Sequence, residues 1–457
     1  MSELQKTMSL AGVAVLLILS ALLTAPTKIT PDTFLDQGES FFPEFTDPNV
    51  ATTLEVIEYN EETGSAQPFK VTFQDGRWTI PSHHNYPADG QNRLARTAAG
   101  LIEIKKDDYR SNNVADYEAF GVLDPLDDTV TTLKGRGKRV TIKGGSGQVL
   151  ADMLVGSTVE GRSNLRFVRI PDQKRVYSAR VDIDISTRFE DWIDRDLLRV
   201  EPRNIQQITL RDYSIDERTR SINQRDVLTL DRSEDAWKAN RMSSNQEIDS
   251  AKIDELLAGI DGLSIVGVRP KPEGLSMNLA LTEQNPLSQT DLLSLQTRGY
   301  YFTRDGNLVS NEGELEIRTS EGVVYTLRFG EVLYGSGQTV TAGGAGMEGD
   351  EENGPGENRY LFITTAFDDV LFSEPSQPDN TAFLNKAEEE WTDADRSSKE
   401  IQDEHDRWQE DVARGRQIAE DLNDRFAAWY YVISSTSFEK VQLSRTDLVK
   451  EKEALAL

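Results

Sequence analysis

Arg188, Phe189 and Trp192 in "TRFEDWIDRDLL" recur as Arg425, Phe426 and Trp429 in "DRFAAWYYVI". The phrase belongs to a series of weak signals that runs twice in the same order. "FKVTFQDGRWTI" places Trp78 at the end of an alternating, strand-like run, and "RDVLTLDRSEDAWKA" does the same for Trp237. Each is followed by a loop, an aspartate and a helix-period segment. Asp89 is placed to cap a helix carrying Leu94, Ala98, Leu101 and Ile102; Asp249 is placed to cap one carrying Ile253, Leu256, Leu257 and Ile260. Hairpin patterns around glycine turns come next, "KRVTIKGGSGQVLADMLVG" and "GELEIRTSEGVVYTLRFG". Then follow "NLRFVRI" and "NRYLFIT", "KRVYSA" and "DDVLFS", the Arg-Phe-x-x-Trp phrase, and a new strand in "NIQQITL" and "SFEKVQL".

A shared order constrains the fold more than any single motif. It predicts an α+β protein with mainly antiparallel sheets, built as two tandem repeat units. The alternative is two α+β domains with similar patterns by chance. Under duplication, Trp78, Trp237, Phe189, Trp192, Phe426 and Trp429 are paired, buried core anchors, which accounts for them without a ligand. The predicted organisation is an anchor over 1–26, a proline-punctuated stalk over 27–50, repeat units over 51–200 and 201–380, a charged helical segment over 381–433, and a strand and tail over 434–457. Within the second unit, "TAGGAGMEGDEENGPGEN" lacks apolar periodicity and reads as a loop.

"MSLAGVAVLLILSALLTA", Met8 to Ala25, carries no charge. Such a run rises roughly 27 Å as a helix, enough for a bilayer core. Lys6 precedes it, and Asp32, Asp36 and Glu39 follow, an arrangement that favours a cytoplasmic N-terminus and an extracytoplasmic, periplasmic body at the inner membrane. Cleavage after Ala25 would leave Pro26 as the first residue, which disfavours a removed signal peptide. A signal peptide and a buried core helix are the alternatives to a single-pass anchor.

The formal net charge of −28 repels phosphate backbones, so nucleic acid is an improbable partner. Without cysteine there is no disulfide, thiolate metal site or cysteine nucleophile. His83, His84 and His405 are the whole histidine complement. In "HHNYPAD", adjacent His83 and His84 point apart, and Asp89 could join one of them at a metal; a loop before a capped helix is the simpler reading. Ser146 in "GGSGQ" lacks the context of a nucleophile elbow. "GRGKR" and "KGGSG" lack the Walker lysine and the helix after it. Asp124, Asp127 and Asp128 do not have EF-hand spacing. No catalytic, cofactor or metal residue is assigned, and the chain is expected not to be an enzyme.

Near the C-terminus, Ile401, His405, Trp408, Val412, Gly415, Ala419, Leu422, Phe426, Trp429 and Ile433 recur at steps of three and four in a polar background. This predicts one long, coiled-coil-like helix through Ile433, its N-terminal part projecting as an arm. Ile401, His405, Trp408 and Val412 form a seam for a separate protein or a second copy of this chain. The alternative cover is the preceding segment folding back as a helix, with Trp391 against Trp408.

"PSHHNYPADGQNRLARTAAGL", "AFGVLDP", "NLRFVRI", "KRVYSA" and "RFEDWIDRDLL" resemble the bacterial DUF4340 family, in the membrane-anchored form typical of planctomycete-like bacteria. The resemblance runs from about Phe41 to the C-terminus and includes the turn from Gly121 to Pro125. The family's function is unknown and it supplies no catalytic residues. Its members are often encoded beside a gliding-type ABC export system. The resemblance therefore implies a non-catalytic accessory role in the envelope, with an ABC permease or auxiliary subunit as partner. A module that binds envelope polysaccharide or peptide is the alternative, and a hydrolase a more distant one.

Overall fold

The computed structural model describes residues 36–452 apart from 184, 217, 220, 235, 283–285, 336–339 and 344–356. The apolar run Met8–Ala25 and most of the Gly-rich acidic segment lie outside the described residues. Among the described residues, no helix is long and apolar enough to cross a membrane.

The chain opens with β1 (Ala51–Asn60), β2 (Ser65–Gln74), β3 (Arg77–Ile80), β4 (Tyr86–Pro87), α1 (Gln91–Glu103) and β5 (Asp108–Ser111). A short α2 (Tyr117–Phe120) precedes β6 (Lys138–Gly144), β7 (Val149–Val159), β8 (Arg162–Arg169) and β9 (Val176–Arg180). Then come β10 (Ile205–Asp216), β11 (Ser221–Ser233), β12 (Ala236–Ala239), β13 (Gln246–Ile248), α3 (Ser250–Asp261) and β14 (Ile265–Pro270). An inserted α4 (Gln289–Thr297), β15 (Tyr300–Phe302) and β16 (Leu308–Ser310) lead to β17 (Glu314–Thr319), β18 (Val323–Leu333) and β19 (Asn358–Phe367). The chain ends with α5 (Asp393–Ala427), β20 (Trp429–Ile433), α6 (Ser435–Val441), α7 (Arg445–Leu448) and β21 (Val449–Glu451).

Two compact units divide these elements. One takes the described residues up to Glu61 and Leu94–Ile185; the other takes Glu62–Arg93 and the described residues from Ser186 on. In the first, the strands run β1-β6-β7-β8-β9-β5, every pair antiparallel. In the second, β10-β17-β18-β19-β20-β14 is also wholly antiparallel, with β11 and β12 extending it beyond β10. The two six-strand orders are the same permutation of chain order. In each, the second strand in sequence lies at one end of the sheet, and a hairpin, a short strand and a helix separate it from the first.

Alternation supplies the cores. Leu54 and Val56 face Ile142 and Val140, which face Ala151 and Met153 on the next strand. All six are at most 1% exposed. The second unit repeats the row with Ile208 and Leu210, Ile317 and Leu315, then Tyr325 and Leu327. Such apolar rows fix the register, because a one-residue slip would turn each of them to the opposite face.

The α+β class, the antiparallel sheets and the long C-terminal helix agree with the sequence reading. Several local expectations do not. "DDVLFS" is not a strand: Asp369–Leu371 is a 3-10 turn, with the Asp368 side chain accepting from the Val370 amide. The strand in the place corresponding to β9 is β20. "SFEKVQL" is helical, because Ser434 caps the turn by accepting from the Ser437 amide at 3.1 Å while Phe438 and Val441 share its buried face. The long helix starts at Asp393 on a Thr392–Asp395 capping box and stops at Ala427. "WYYVI" leaves the helix because its aromatic and β-branched residues pair as β20 between β19 and β14. Asp249 caps α3 as expected, whereas α1 begins only at Gln91, two residues beyond Asp89.

At 35 residues, α5 is about 52 Å long. Its C-terminal half packs on the sheet of its unit. Thr365 Oγ1 donates to the Ala419 carbonyl at 2.8 Å, and Gly415 packs so close that a Cβ there would clash with the Glu321 carbonyl oxygen. The end carrying Ile401, His405, Trp408 and Val412 is covered by the chain that follows β19. Trp408 Nε1 donates to the Phe372 carbonyl at 3.2 Å, and His405 Nε2 lies 3.4 Å from Glu374 and 3.3 Å from Gln377. His405 and Val412 are buried; Ile401 and Trp408 are half-buried. The cover is not a helix. The 3-10 turns Ala382–Asn385 and Glu388–Glu390 occupy the preceding segment, and Trp391 packs edge-on against Phe383, not Trp408.

Candidate functional site

The expectation of four buried tryptophan anchors holds for one of them. Trp192 is fully buried, whereas Trp78, Trp237 and Trp429 are half-buried. Trp78 and Trp237 sit on the short outer strands of their hairpins, opposite Phe73 and Arg232. Their rings lie on these cross-strand neighbours, with Phe73 at 5.3 Å and the Arg232 guanidinium at 5.9 Å. The two Arg-Phe-x-x-Trp phrases also differ in structure. Phe189–Asp191 is a 3-10 turn before β10, while Arg425 and Phe426 end α5 and Trp429 opens β20.

The second unit nevertheless brings the two phrases to one place. The link is the segment His83–Asp89. After the 3-10 turn Pro81–His83, His84 and Asn85 both adopt left-handed backbone, at φ 58° and 60°. Two such residues in succession are uncommon outside glycine, and strain of this kind concentrates at functional sites. The turn drives His83 inward and leaves His84 and Asn85 exposed. His83 is 3% exposed and stacks on Phe189 at 4.6 Å with the rings 11° apart. Phe69 meets His83 at 6.0 Å and Trp192 at 5.9 Å. Trp192 is fixed by Nε1 donating to the Ser186 carbonyl at 2.9 Å, by the Arg93 guanidinium 5.0 Å above its ring, and by its own carbonyl accepting from the Asp89 amide at 2.8 Å.

Tyr86, the next inward residue, joins the two phrases. Its ring meets Phe189 edge-on at 5.6 Å and Trp429 at 5.1 Å. Burial pushes its hydroxyl up. Above this aromatic floor opens a cleft of about 890 Å³, lined by Arg77 and His84–Asp89, by Asp194 and Arg199, and by Asp424, Arg425, Ala428 and Trp429. Asp194 accepts from Arg425 Nη1 at 3.1 Å and from Arg199 Nη2 at 2.9 Å. Burial pushes the Asp194 carboxyl up, but these two guanidinium bonds outweigh it and hold the group below the usual carboxylate range. Arg425 Nη2 also donates to the Asp196 carbonyl at 2.9 Å. The phrases are therefore joined twice, through Tyr86 and through the Arg425–Asp194 pair.

The other residues noted in the sequence are accounted for locally. The Nε2 of His84 donates to the Ala342 carbonyl at 2.7 Å. His83 bonds Ser82 Oγ through Nδ1 at 2.9 Å, and burial, with His84 and Arg269 nearby, pushes its pKa down to about 4. Ser146 donates to the Gln148 side chain in the β6–β7 turn. Asp124 accepts from Arg139 at 3.0 Å, and Asp127 caps the Thr129 amide at 2.9 Å. Among the described residues, no group of three or more His, Asp or Glu is placed to hold a metal ion. Sequence reasoning missed Tyr86, Arg77, Asp194 and Arg199 as cleft residues, since no local pattern distinguishes them and only the fold assembles them.

No curated protein and no solved structure matches the chain. Residues 78–278, a narrower span than the sequence resemblance implied, match the model of the family described as Domain of unknown function (DUF4340). That stretch contributes His83, His84, Tyr86, Phe189, Trp192 and Asp194 to the site, while Arg425 and Trp429 lie beyond it. The match to the DUF4340 family thus covers residues 78–278, less than half of the chain.

Proposed function

We propose that this protein is a non-catalytic binding component of an envelope assembly. It is held by Met8–Ala25 as a single-pass anchor with the body outside the inner membrane, and it receives its partner in the Tyr86–Trp429 cleft. The observation that carries this reading is that cleft: an open, aromatic-floored recess whose lining carboxylate, Asp194, is already engaged by two guanidinium groups. A site organised for acid–base or nucleophilic work holds a group poised near neutrality. Here the carboxylate is held low, and the nearby His83 is buried and stacked as a structural ring. The lining carries both signs, Arg77 and Arg199 with Asp89 and Asp424, which suits a polypeptide of mixed charge. The partner is a protein of a gliding-type ABC export system, by family resemblance.

The body derives from an internal duplication with repeats over 51–200 and 201–380, the second completed by β20. Supporting this are the common strand permutation and the two matching apolar rows. The seam of Ile401, His405, Trp408 and Val412 is a secondary candidate for docking, and would require the residues after β19 to move aside. A second reading, an envelope polysaccharide as cleft ligand, is favoured by the half-exposed Trp429 ring, which offers a stacking face.

The test is co-purification from detergent-solubilised membranes. The double variant Arg77→Glu/Asp424→Arg reverses two exposed rim charges while leaving the aromatic floor in place. Loss of one specific membrane partner with an unchanged melting temperature supports protein docking. Retention of every partner removes the cleft as the docking site. Retention of protein partners with loss of glycan binding on an array shifts the assignment to polysaccharide.

A further inference from the structure

Lys271 follows β14 directly, and its backbone amide donates to the Ala428 carbonyl at 2.9 Å, so it extends the β14–β20 ladder by one step. Arg269 pairs with Tyr430 across that ladder. Two residues on, Lys271 emerges on Tyr430's side of the sheet, because side chains alternate along a strand. A recess of about 440 Å³ opens there, bounded by Tyr430, Leu287, Pro270, Pro272 and Pro286, with Glu273 and Asp291 among its lining. The amine donates to the Ser276 carbonyl at 2.7 Å. Four other lysines of this unit have carboxylate partners: Lys252 on Glu255, Lys386 on Asp395, Lys399 on Asp403 and Lys450 on Asp249. Among the described residues Lys271 makes no ion pair, although acidic residues outnumber basic ones 78 to 50 in the sequence.

We propose that Lys271 is a nucleophilic amine whose recess binds small uncharged aldehydes and captures them as an imine. The proline and leucine walls and the Tyr430 ring accommodate the apolar part of such a ligand. Glu273 and Asp291 oppose an anionic one. Half-burial without an ion pair also favours the neutral amine, and desolvation pushes its pKa down from 10.5 to about 8. The ammonium gives one proton to water. The nitrogen lone pair attacks the carbonyl carbon, and the π pair moves to oxygen. That oxygen takes up two protons in all, one from solvent and one released by the nitrogen, and leaves as water while C=N forms as the iminium, whose remaining N–H proton returns to solvent to give the imine. No oxidant or co-reactant is required.

The test uses the full-length protein in detergent with propionaldehyde and cyanoborohydride, which reduces the imine to a stable amine for peptide mapping. At pH 7 a group of pKa about 8 is neutral in about one molecule in ten, against about one in three thousand for an ordinary lysine. Lys271 should therefore be labelled at least about tenfold faster than exposed Lys450, and its rate should level off above pH 8 while that of Lys450 keeps rising. In urea the advantage should vanish. Labelling of Lys271 no faster than Lys450, an advantage that survives urea, or a preference for the anionic aldehyde pyridoxal phosphate would each overturn the assignment.

Discussion

His83 should make the protein lose stability in mild acid, and the loss can be isolated. The ring is 3% exposed and its pKa falls from the ordinary 6.5 to about 4, chiefly through burial. A histidine with a depressed pKa is held neutral by the fold, while the unfolded chain takes up a proton below pH 6.5. Its contribution is fully present above 6.5, declines as pH falls, and is gone below about 4. One pKa unit corresponds to about 1.4 kcal/mol, so the full effect is about 3 kcal/mol, of which about 2 kcal/mol is lost between pH 7.5 and 5. His83→Phe preserves the stack on Phe189 and removes the titration. Urea unfolding of the wild type and of this variant at both pH values gives a difference of differences, in which carboxylates common to both cancel. The wild type should lose about 2 kcal/mol more than His83→Phe on going to pH 5. Parallel losses in the wild type and His83→Phe would show that His83 is not buried neutral, and the aromatic floor built on it would have to be redrawn.

Trp192→Ala should cost about 3–5 kcal/mol in chemical denaturation, because the ring is wholly buried; Trp78→Ala and Trp237→Ala should each cost about half that or less, their rings being half-exposed on hairpin edges. Gly415→Ala reverses a usual sign. In a free helix it would add up to about 1 kcal/mol; here the new methyl meets the Glu321 carbonyl, and a loss of about 1–3 kcal/mol is expected in thermal melts. Leu17→Arg should shift the protein from the carbonate-resistant membrane pellet to the soluble fraction or reduce its yield, since a central arginine costs about 2.5–3.5 kcal/mol on insertion.

The parts of the fold legible in the sequence are those with short-range causes. Alternation in "KRVTIKGGSGQVLADMLVG" is enough for a hairpin, because the β6–β7 register follows from which residues are apolar and where glycine turns. Asp249 caps α3 through its own side chain. Failures occur where two local readings compete and a distant partner decides. Phe426, Trp429 and Ile433 keep a helical step, yet β19 and β14 supply ladder partners on both sides, and the chain leaves the helix after Ala427. Phe438 and Val441 fit a strand until Ser434 is recognised as a cap. The cleft had no such signature, because Tyr86, Asp194 and Arg425 are far apart in the chain and ordinary in their surroundings.

The repeated phrase shows the same point from the other side. If the sheets share an ancestor, equivalent positions are those with equal rank in the strand order. The first phrase follows β9; the second runs into β20, which corresponds to β9. The copies therefore occupy opposite ends of the equivalent strand and are not inherited counterparts, even under duplication. Their resemblance instead reflects what each must do in one unit. Phe189 and Trp429 each present a ring to Tyr86, and Arg425 reaches the acidic stretch just after the first phrase. Aligning the phrases would assign one tryptophan to each repeat as a core residue. The fold uses one as buried support and the other as a cleft wall, which is why Trp192→Ala should act on stability and Trp429→Ala chiefly on binding.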